Sequence, residues 1–559
     1  MNIFPYFLTR KRSNISESKY RIRLIFNLET KINMQSLENP FSTPQQIRRI
    51  EETLDVEVEI GDDGSFDEFV DELPIHDQDL DHQDVEWELV ENLRPINWEY
   101  PYFPAKSYVP EDCRLPHQYF ELFFDSDVYE IIIEQTNLYA DQFISSQNEY
   151  LLSFPKARIT KWKEWKNEDV MAYIAVRILM GIHKLPSIED HFSENKFLQS
   201  GVSTIISGRK YHLYNKFFHL ADNSKQIKPI DKIQPFLDLI LTKIQKYYDP
   251  GQHITLDEGI IPFQGRCQYK QYNKMKPEKW GMKMYLLCDS KTGYVWKAKI
   301  YQGKEESINN YTTQLTLSFT TSLKNKGYKL FTDNFYTSPE LAWELLKKRI
   351  SITGIVKANR KGLPAKHENL KLRPNETQVY VKNDTLCIYH LDHQKPLILL
   401  SNAYSAFQEV AHNDKPYALQ KYNEYIHGVD KANQERSYYR YPHREFKWWK
   451  AVFTDILEII IVNAYILYKN REEKPLTHKE FRIYIVKHLL SNWKMKKTIF
   501  QTKPSQKMHY FDKIPNKKQR VCCHCRKRDS TWMCKRCSKN SGNIMALCLM
   551  PCWEQYHKR

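Results

Sequence analysis

Three aspartates spaced 76 and 97 residues apart, Asp257, Asp333 and Asp430, are the side chains of this 559-residue chain best suited to phosphoryl chemistry. Phosphodiester cleavage with two divalent ions needs carboxylates that converge from different elements, because one must bridge both ions while others hold each. Hard oxygen ligands suit Mg2+ or Mn2+, so two such ions are the expected complement. An aspartate at a strand end is by itself usually a cap or a turn residue, and its surroundings decide between the two readings. Between the first two acids, Arg266, Lys270, Lys274, Lys276, Lys279 and Lys283 alternate with Tyr269, Tyr272 and Trp280, and Lys357, Arg360 and Lys361 follow the second acid. Basic side chains interleaved with aromatics suit a phosphate backbone with stacked or flipped bases. A solvated basic face is the plainer alternative. No Walker or GxGxxG motif and no convincing nucleophilic Ser or Cys arrangement accompanies them, so nucleotide hydrolysis and acyl transfer fall away.

A second ligand set closes the chain. Cys522-x2-Cys525, Cys534-x2-Cys537, Cys548-x3-Cys552 and His557 are paired at zinc-ligand spacing. Zn2+ is tetrahedral, so each pair supplies half a site. Seven ligands make one full site and three-quarters of another, which Cys523 or His524 could complete, giving two zinc ions. A segment of roughly 40 residues has too small a core to fold without such a staple.

The charge distribution names the partner class. Lys and Arg total 83 against 68 Asp and Glu, a net +15 that hides an asymmetry. Residues 51–100 hold 19 acidic side chains and one basic one, Arg94, whereas residues 491–559 hold 17 basic and 3 acidic. A basic body behind an acidic head points to a polyanion, nucleic acid first and a membrane surface second. The start has no secretory h-region, and the most apolar stretch, Ala451–Tyr468, is broken by Asp455, Glu458 and Asn463. The expectation is an intracellular protein with no membrane span, whose clustered cysteines bind metal rather than form disulfides.

The elements that must position these groups follow from periodicity. Residues 1–100 are read as an acidic, largely disordered region, a solvating tail or one that folds back on the basic body. Met34 is an alternative start. From Pro101 to about Asp249, apolar spacing predicts helices over Tyr129–Thr136, Val170–Met180 and Ile233–Tyr247, with Asp169 and Asp231 as N-caps of the last two. Strands are then predicted at Ile254–Pro262, Met282–Cys288 and Tyr294–Tyr301, the last two joined at Asp289–Gly293. A helix over Thr312–Asn325 stopped by Gly327, a strand at Tyr328–Thr332 delivering Asp333, a helix opened by Ser338-Pro339-Glu340 and a strand at Ile350–Val356 complete the run. This order suits a mixed α/β sheet with helices on its faces. Phe446–Lys469 reads as a buried packing helix, with one of Trp448 and Trp449 free to face a ligand.

The motifs themselves resemble the piggyBac transposase family. Thr255-Leu-Asp-Glu-Gly259, Gly265-Arg-Cys-Gln-Tyr-Lys270, Met275-Lys-Pro-Glu-Lys-Trp-Gly281, Thr332-Asp-Asn-Phe-Tyr-Thr-Ser338, Thr353–Gly362, Tyr422-Asn423, Gly428-Val-Asp430 and Asn463-Ala-Tyr465 occur in the family's order. The resemblance runs from about Pro101 to the C-terminus. It implies a ribonuclease-H-like core with Asp257, Asp333 and Asp430 as catalytic triad, in two parts, 251–363 and 419–441. It implies a helical dimerisation and DNA-binding domain split between 101–250 and 442–515, a strand-rich insertion at 364–418, and a cross-brace zinc finger at 520–559 docking on terminal-repeat DNA. A RING or PHD type of protein-binding finger is the structural rival for the last. Lys357 and Arg360 match DNA-contacting basic positions, and Trp448 an aromatic close to the active site.

The implied activity is excision of a DNA element through strand cleavage and hairpin ends, followed by joining to TTAA targets, by a homodimer. No small-molecule substrate is implied. Basic clusters at Lys494–Lys497 and Lys517–Arg520 suit a nuclear location. In one place the chain departs from the family pattern: Asn433 stands where a fourth acid usually follows Asp430, and it offers a carbonyl oxygen but no charge. The alternatives are a domesticated, transposase-derived DNA- or chromatin-binding protein that no longer cuts, and a structure-specific nuclease.

Overall fold

A mixed sheet spanning residues 253–401 carries the first two aspartates. The computed structural model describes residues 86–90, 100–225, 228–303 apart from 275 and 277, 310–364, 372–391, 396–406, 415–495, 509, and 511–557 apart from 550. The remainder of the acidic region 1–100, parts of the 364–418 insertion, and Lys496 and Lys497 of the basic clusters lie outside the described residues.

The strands are β1 (His253–Pro262), β2 (Lys270–Tyr272), β3 (Trp280–Asp289), β4 (Val295–Ile300), β5 (Lys329–Thr332), β6 (Ser351–Ile355), β7 (Thr377–Lys382), β8 (Thr385–His390) and β9 (Leu397–Ser401). They lie in the order β7-β8-β9-β6-β5-β1-β3-β2, with β4 also paired to β3. The β1/β3 and β3/β4 ladders are antiparallel, and β5 runs parallel to both β1 and β6. Every residue of β5 is buried, as expected of a parallel strand covered on both faces. The β3–β4 connection turns as its sequence suggests. Asp289 accepts from the amides of Lys291 (3.0 Å) and Thr292 (2.8 Å), and Gly293 takes φ +76°.

The strand-rich insertion does not form a sheet of its own. Its three strands continue the central sheet through β9, which pairs antiparallel with β6. A short piece of the acidic head also joins it. Glu88–Leu89 adds to the free edge of β7, while the Trp87 indole donates to the Gly362 carbonyl at 2.7 Å. Within the region read as acidic and largely disordered, the described residues 86–90 are thus held against the sheet by the Trp87 ring.

Helices α1 (Ser126–Ser146), α2 (Asn167–Ile182) and α3 (Gln234–Lys246) precede the sheet, α4 (Tyr311–Thr320) and α5 (Pro339–Lys347) lie within its chain path, and α6 (Tyr417–Tyr425), α7 (Gly428–Tyr439), α8 (Trp448–Arg471) and α9 (His478–Leu489) follow. Helix α9 packs on α2, so segments before and after the sheet share one helical body. Buried Arg177 of α2 pairs with Glu445, and the Tyr211 and Tyr441 hydroxyls meet at 2.9 Å. Ser338 caps α5 by accepting from the Leu341 amide at 3.1 Å, with Pro339 in the first turn. Asp169 and Asp231 are not N-caps. Each sits three residues into its turn and accepts from the backbone of Lys166 (3.1 Å) or Lys228 (2.8 Å).

Among the described residues, α8 is the one helix long and apolar enough to cross a membrane, yet 94% of its apolar window is buried inside the protein. Each polar group that interrupts it has a partner. Asp455 pairs with Arg436 and Arg440, Glu458 with Arg482 (2.6 Å), and Asn463 bonds both backbone groups of Val295. Buried charges of this kind are tolerated only when paired. Trp448 and Trp449 are both buried, so neither faces solvent.

Candidate active site and cysteine-rich centres

The register of β1 and β5 sets the first two acids side by side. Leu256 pairs with Thr332 in the parallel ladder, and Asp257 and Asp333 each come one residue later. Their backbones therefore stand about one strand spacing, roughly 4.8 Å, apart. Asp333 is fixed by the Phe335 amide, which donates to its Oδ1 at 3.0 Å. Asp430 arrives from the first turn of α7, with its side chain 63% exposed and 3.3 Å from His427 Nδ1. Gly428 permits that approach, since a Cβ there would stand 2.9 Å from both the Ser290 backbone and the Thr255 hydroxyl.

A fourth carboxylate, Glu258, joins the three. It is 8% exposed and accepts from the Tyr336 hydroxyl at 2.8 Å, and Lys283 lies 3.4 Å from it. The Lys276 ammonium sits among these acids, 3.7 Å from Asp257 Oδ2 and donating to the Glu258 carbonyl at 3.3 Å. Burial pushes the Asp257 carboxyl well above its ordinary range, with Glu258 adding to the effect. Burial and Glu258 push Asp333 up to about 6. Burial alone would raise Glu258 too, but Lys283 and Lys276 hold it below the ordinary value. The Lys276 ammonium is raised despite its burial, because Asp257, Glu258, Asp430 and Asp333 all favour its charge. Tyr422 of α6, raised first by burial, feels Asp333, Asp257 and Asp430 together.

The donor chemistry fits hard divalent cations. Buried carboxylates repel one another and require positive charge among them, and here a lysine supplies it. As a set, the three aspartates do not close to within 4.8 Å among the described residues.

The expected polyanion-facing residues divide. Arg266, Lys279 and Lys361 are exposed, and Lys357 is half-buried. Trp280 is 41% exposed, 4.8 Å from the Tyr272 ring, and the Lys270 ammonium lies 5.0 Å above it. A cleft of about 590 Å³ opens beside Trp280 and Lys279, bordered also by Lys184, Arg440 and Arg444. Arg360 turns inward and donates to the carbonyls of Asn334 (3.1 Å) and Phe335 (2.6 Å), bracing the loop after Asp333. Two expected DNA-facing residues lie inside instead. Lys283 is 3% exposed and serves as counter-ion to Glu258, and Trp448 packs edge-on against Tyr269 at 5.2 Å. Their inward direction follows from tertiary packing that residue spacing does not carry.

The cysteine-rich tail forms two ligand groups. Cys522, Cys525, Cys548 and Cys552 make one, and His509, Cys534, Cys537 and His557 the other. The first and third pairs thus share a site across the second, which is a cross-brace. Cys525 and Cys548 sulfurs lie 4.0 Å apart, and Cys537 lies 3.2 Å from His509 Nδ1 and 3.5 Å from His557 Nε2. A tetrahedral zinc site with Zn–S near 2.3 Å has ligand–ligand edges of about 3.8 Å, so both groups fit zinc. The His557 Nδ1–H donates to the Trp553 carbonyl at 2.9 Å, leaving Nε2 as the ligand nitrogen. Neither Cys523 nor His524 stands in a group, and His524 instead bonds Gln555 at 3.1 Å. Sequence reasoning missed His509 because it stands alone, 13 residues before the first cysteine pair. The unit also starts earlier than residue 520, since Phe511–Lys513 pairs with Trp532–Cys534.

A third group, His117, Glu121 and His488, is of another kind. The two imidazoles stack at 3.7 Å and 11°, so their in-plane lone pairs run parallel rather than converge. It clasps the two halves of the helical body.

Comparison with known proteins agrees with this architecture. The chain is 23% identical over 458 residues to the human piggyBac transposable element-derived protein 3, covering 76% of this chain and 74% of that one. It is 24% identical over 405 residues to the human piggyBac transposable element-derived protein 5, covering 66% and 75% respectively. Its fold matches a piggyBac transposase seen by cryo-electron microscopy in a synaptic complex with hairpin DNA, with a TM-score of 0.60 at 20% identity over 78% of this chain and 97% of that one. The profile of the Transposase IS4 family matches residues 115–465. The chain therefore belongs to the Transposase IS4 family, in its piggyBac-type branch.

Proposed function

We propose that this protein is a metal-dependent DNA transposase that cuts the ends of a DNA element, passes through hairpin ends and joins the element to TTAA targets. The observation that carries the reading is that Asp257 of β1 and Asp333, one residue past the parallel strand β5, stand side by side, with Lys276 feeling both of them and Asp430 of α7. Three long strands, with the three-residue β2 between the first two, followed by helix, strand, helix and strand, support a ribonuclease-H-like core. Asp257, Asp333 and Asp430 would hold two Mg2+ or Mn2+ ions, which activate an attacking oxygen and stabilise the leaving one. Around them, this chain's own groups bind and orient DNA. Exposed Arg266, Lys279 and Lys361 meet phosphates, Trp280 offers a stacking face, and Arg360 keeps the Asp333 loop in place.

The two cysteine-rich groups would hold two zinc ions and present a basic finger to terminal-repeat DNA. Action as a homodimer in the nucleus belongs to the same reading. The test is an excision assay in cells on DNA flanking the gene, with Asp333→Ala beside wild type. Precise restoration of TTAA by wild type alone is the expected result. Equal repair products from both proteins would remove the aspartate from the chemistry.

A second reading, a transposase-derived DNA-binding protein without cleavage, is favoured by one observation. The oxygen of Asn433 is bound by Arg436 rather than turned to the acids. Retained DNA binding with no excision would select it.

A further inference from the structure

We propose that Trp87 is a positioning residue of the active site: a short strand from the acidic head holds the loop whose arginine braces Asp333. The inference rests on the metal-dependent reading of Asp257, Asp333 and Asp430. Its first element is the brace. Asp333 lies one residue past β5, and the Phe335 amide donates to its Oδ1 at 3.0 Å. Arg360 donates to the carbonyls of Asn334 at 3.1 Å and Phe335 at 2.6 Å. The Asn334 carbonyl and the Phe335 amide are the two ends of one planar peptide unit. A guanidinium that grips the first therefore aims the second at the Asp333 carboxylate.

Arg360 is held in turn by its own loop. Residues 357–362 leave β6 after Val356, whose amide donates to the Ile398 carbonyl at 2.9 Å, and the Arg360 amide closes a turn on the Lys357 carbonyl at 3.0 Å. At the far end Gly362 takes φ +80°, and its carbonyl accepts from the Trp87 indole at 2.7 Å. A Cβ on Gly362 would lie 3.5 Å from Pro339, so this end of the loop rests on the first turn of α5.

Trp87 reaches the loop by strand addition. Glu88–Leu89 pairs with β7, and the Val90 amide donates to the Val379 carbonyl at 2.9 Å. In such additions main-chain bonds supply affinity and side-chain contacts supply specificity. Here the contact is the Trp87 ring, 6.4 Å from the ring of Trp343 on α5 and packed against the cluster of Val356, Tyr380 and Leu400. Val356 precedes the Arg360 loop and α5 follows the Asp333 loop. One indole thus joins the sheet edge to the elements on both sides of the brace, and the acidic head enters the active site as its support.

The experiment is hydrogen–deuterium exchange of the zinc-loaded, full-length protein, read by mass spectrometry over residues 333–337 and 357–362, with strands β1 and β3 as reference. Trp87→Ala is expected to speed exchange roughly fivefold in the first two stretches, as loss of one hydrogen bond at its usual net worth gives, and to leave the reference strands unchanged. Trp87→Phe, which keeps a ring and loses the donor, is expected to fall between the two. Glu88→Gln, which alters an exposed side chain of the same strand, is expected to match wild type. On DNA flanking the gene, Trp87→Ala is expected to lower the cleavage rate at saturating DNA about tenfold with the half-saturating concentration unchanged, because a misplaced group slows chemistry rather than binding. Unchanged exchange over 333–337 in Trp87→Ala overturns the positioning role, and so does faster exchange that spreads equally to β1 and β3. A wild type that cuts no DNA overturns the metal-dependent reading instead, and exchange over 333–337 then decides the brace by itself.

Discussion

Arg436 donates to the side-chain oxygen of Asn433 one turn earlier on the same helix, and its other amino group is paired with Asp455 of α8. The amide that replaces a fourth acid is therefore a structural partner of a buried guanidinium. Gly259 of β1 lies against the pair, since a Cβ there would stand 2.7 Å from Asn433 Oδ1. Asn433→Ala should cost roughly 1–3 kcal/mol, because it leaves a buried donor of Arg436 unpaired. Asn433→Asp should be neutral or stabilising by about 1 kcal/mol, since the hydrogen bond becomes charge-assisted. It should change Mn2+ affinity by less than about threefold, the side chain being held by Arg436. Urea unfolding and Mn2+ titration of both variants check this; a large gain in affinity for Asn433→Asp would make position 433 a ligand position.

Asp333 gives the acid cluster a pH signature. Its folded pKa of about 6 lies above the ordinary 3.8, so the unfolded chain releases its proton first. The stability Asp333 contributes to the metal-free protein is full below pH 3.8 and is lost as pH rises through 6. A bound divalent ion needs the charged carboxylate, so protons and metal compete in that window. Mn2+ should raise the melting temperature little at pH 5 and fully above pH 7, and Asp333→Asn should show a small rise at both. Thermal unfolding with and without Mn2+ measures it, and equal shifts at pH 5 and pH 7.5 would contradict the competition.

The strands that bear Asp257 and Asp333 were legible because short apolar runs and an Asp-Ser-Lys-Thr-Gly turn are local signals. The direction of a side chain is not local. Lys276, Lys279 and Lys283 alternate with aromatics in one basic stretch, yet one enters the acid cluster, one is exposed and one is buried. Which does which depends on the β1/β3 register and on where Glu258 needs a counter-ion. The joining of β9 to β6 was equally hidden, since nothing in residues 397–401 names the strand they meet. Glu258 carried a signal that was available: an acid adjacent to Asp257 in a strand otherwise apolar.

Acid should loosen the helical body over a range that overlaps the one in which Asp333 takes up its proton. His191 is buried, bonded to Ser200 Oγ at 2.9 Å and to His443 at 3.0 Å, and burial followed by His443 lowers its pKa to about 4. Burial, with Lys450 behind it, lowers His219 to about 3. Both are depressed below 6.5, so their neutral forms stabilise the fold fully above pH 6.5, and that contribution is lost as pH falls toward 4. Each costs at most about 1.4 kcal/mol per pH unit in that window. The urea midpoint should fall steadily from pH 6.5 to 4.5, and His191→Gln should reduce the slope. A midpoint flat over this range would show that neither histidine is neutral in the folded protein.

His509 makes the sharpest test of the C-terminal unit, because it divides a ligand set seen in three dimensions from one drawn on spacing. Four ligands in each group predict two zinc ions per chain. His509→Ala removes a nitrogen lying 3.2 Å from Cys537 and 3.4 Å from Cys534, so one of the two sites should weaken. Removal of one ligand should lower zinc content toward one ion under mild chelation. Cys523→Ser and His524→Ala, outside both groups, should keep two. Elemental analysis of the purified chain after brief exposure to a chelator reads the ratio directly. Loss of zinc from Cys523→Ser with none from His509→Ala would return the eighth ligand to the cysteine tail itself. The expected pattern instead ties the finger to the residues preceding it, since His509 adjoins the Phe511–Lys513 strand paired with Trp532–Cys534. Truncation at residue 520 should then cost both a zinc ion and that strand.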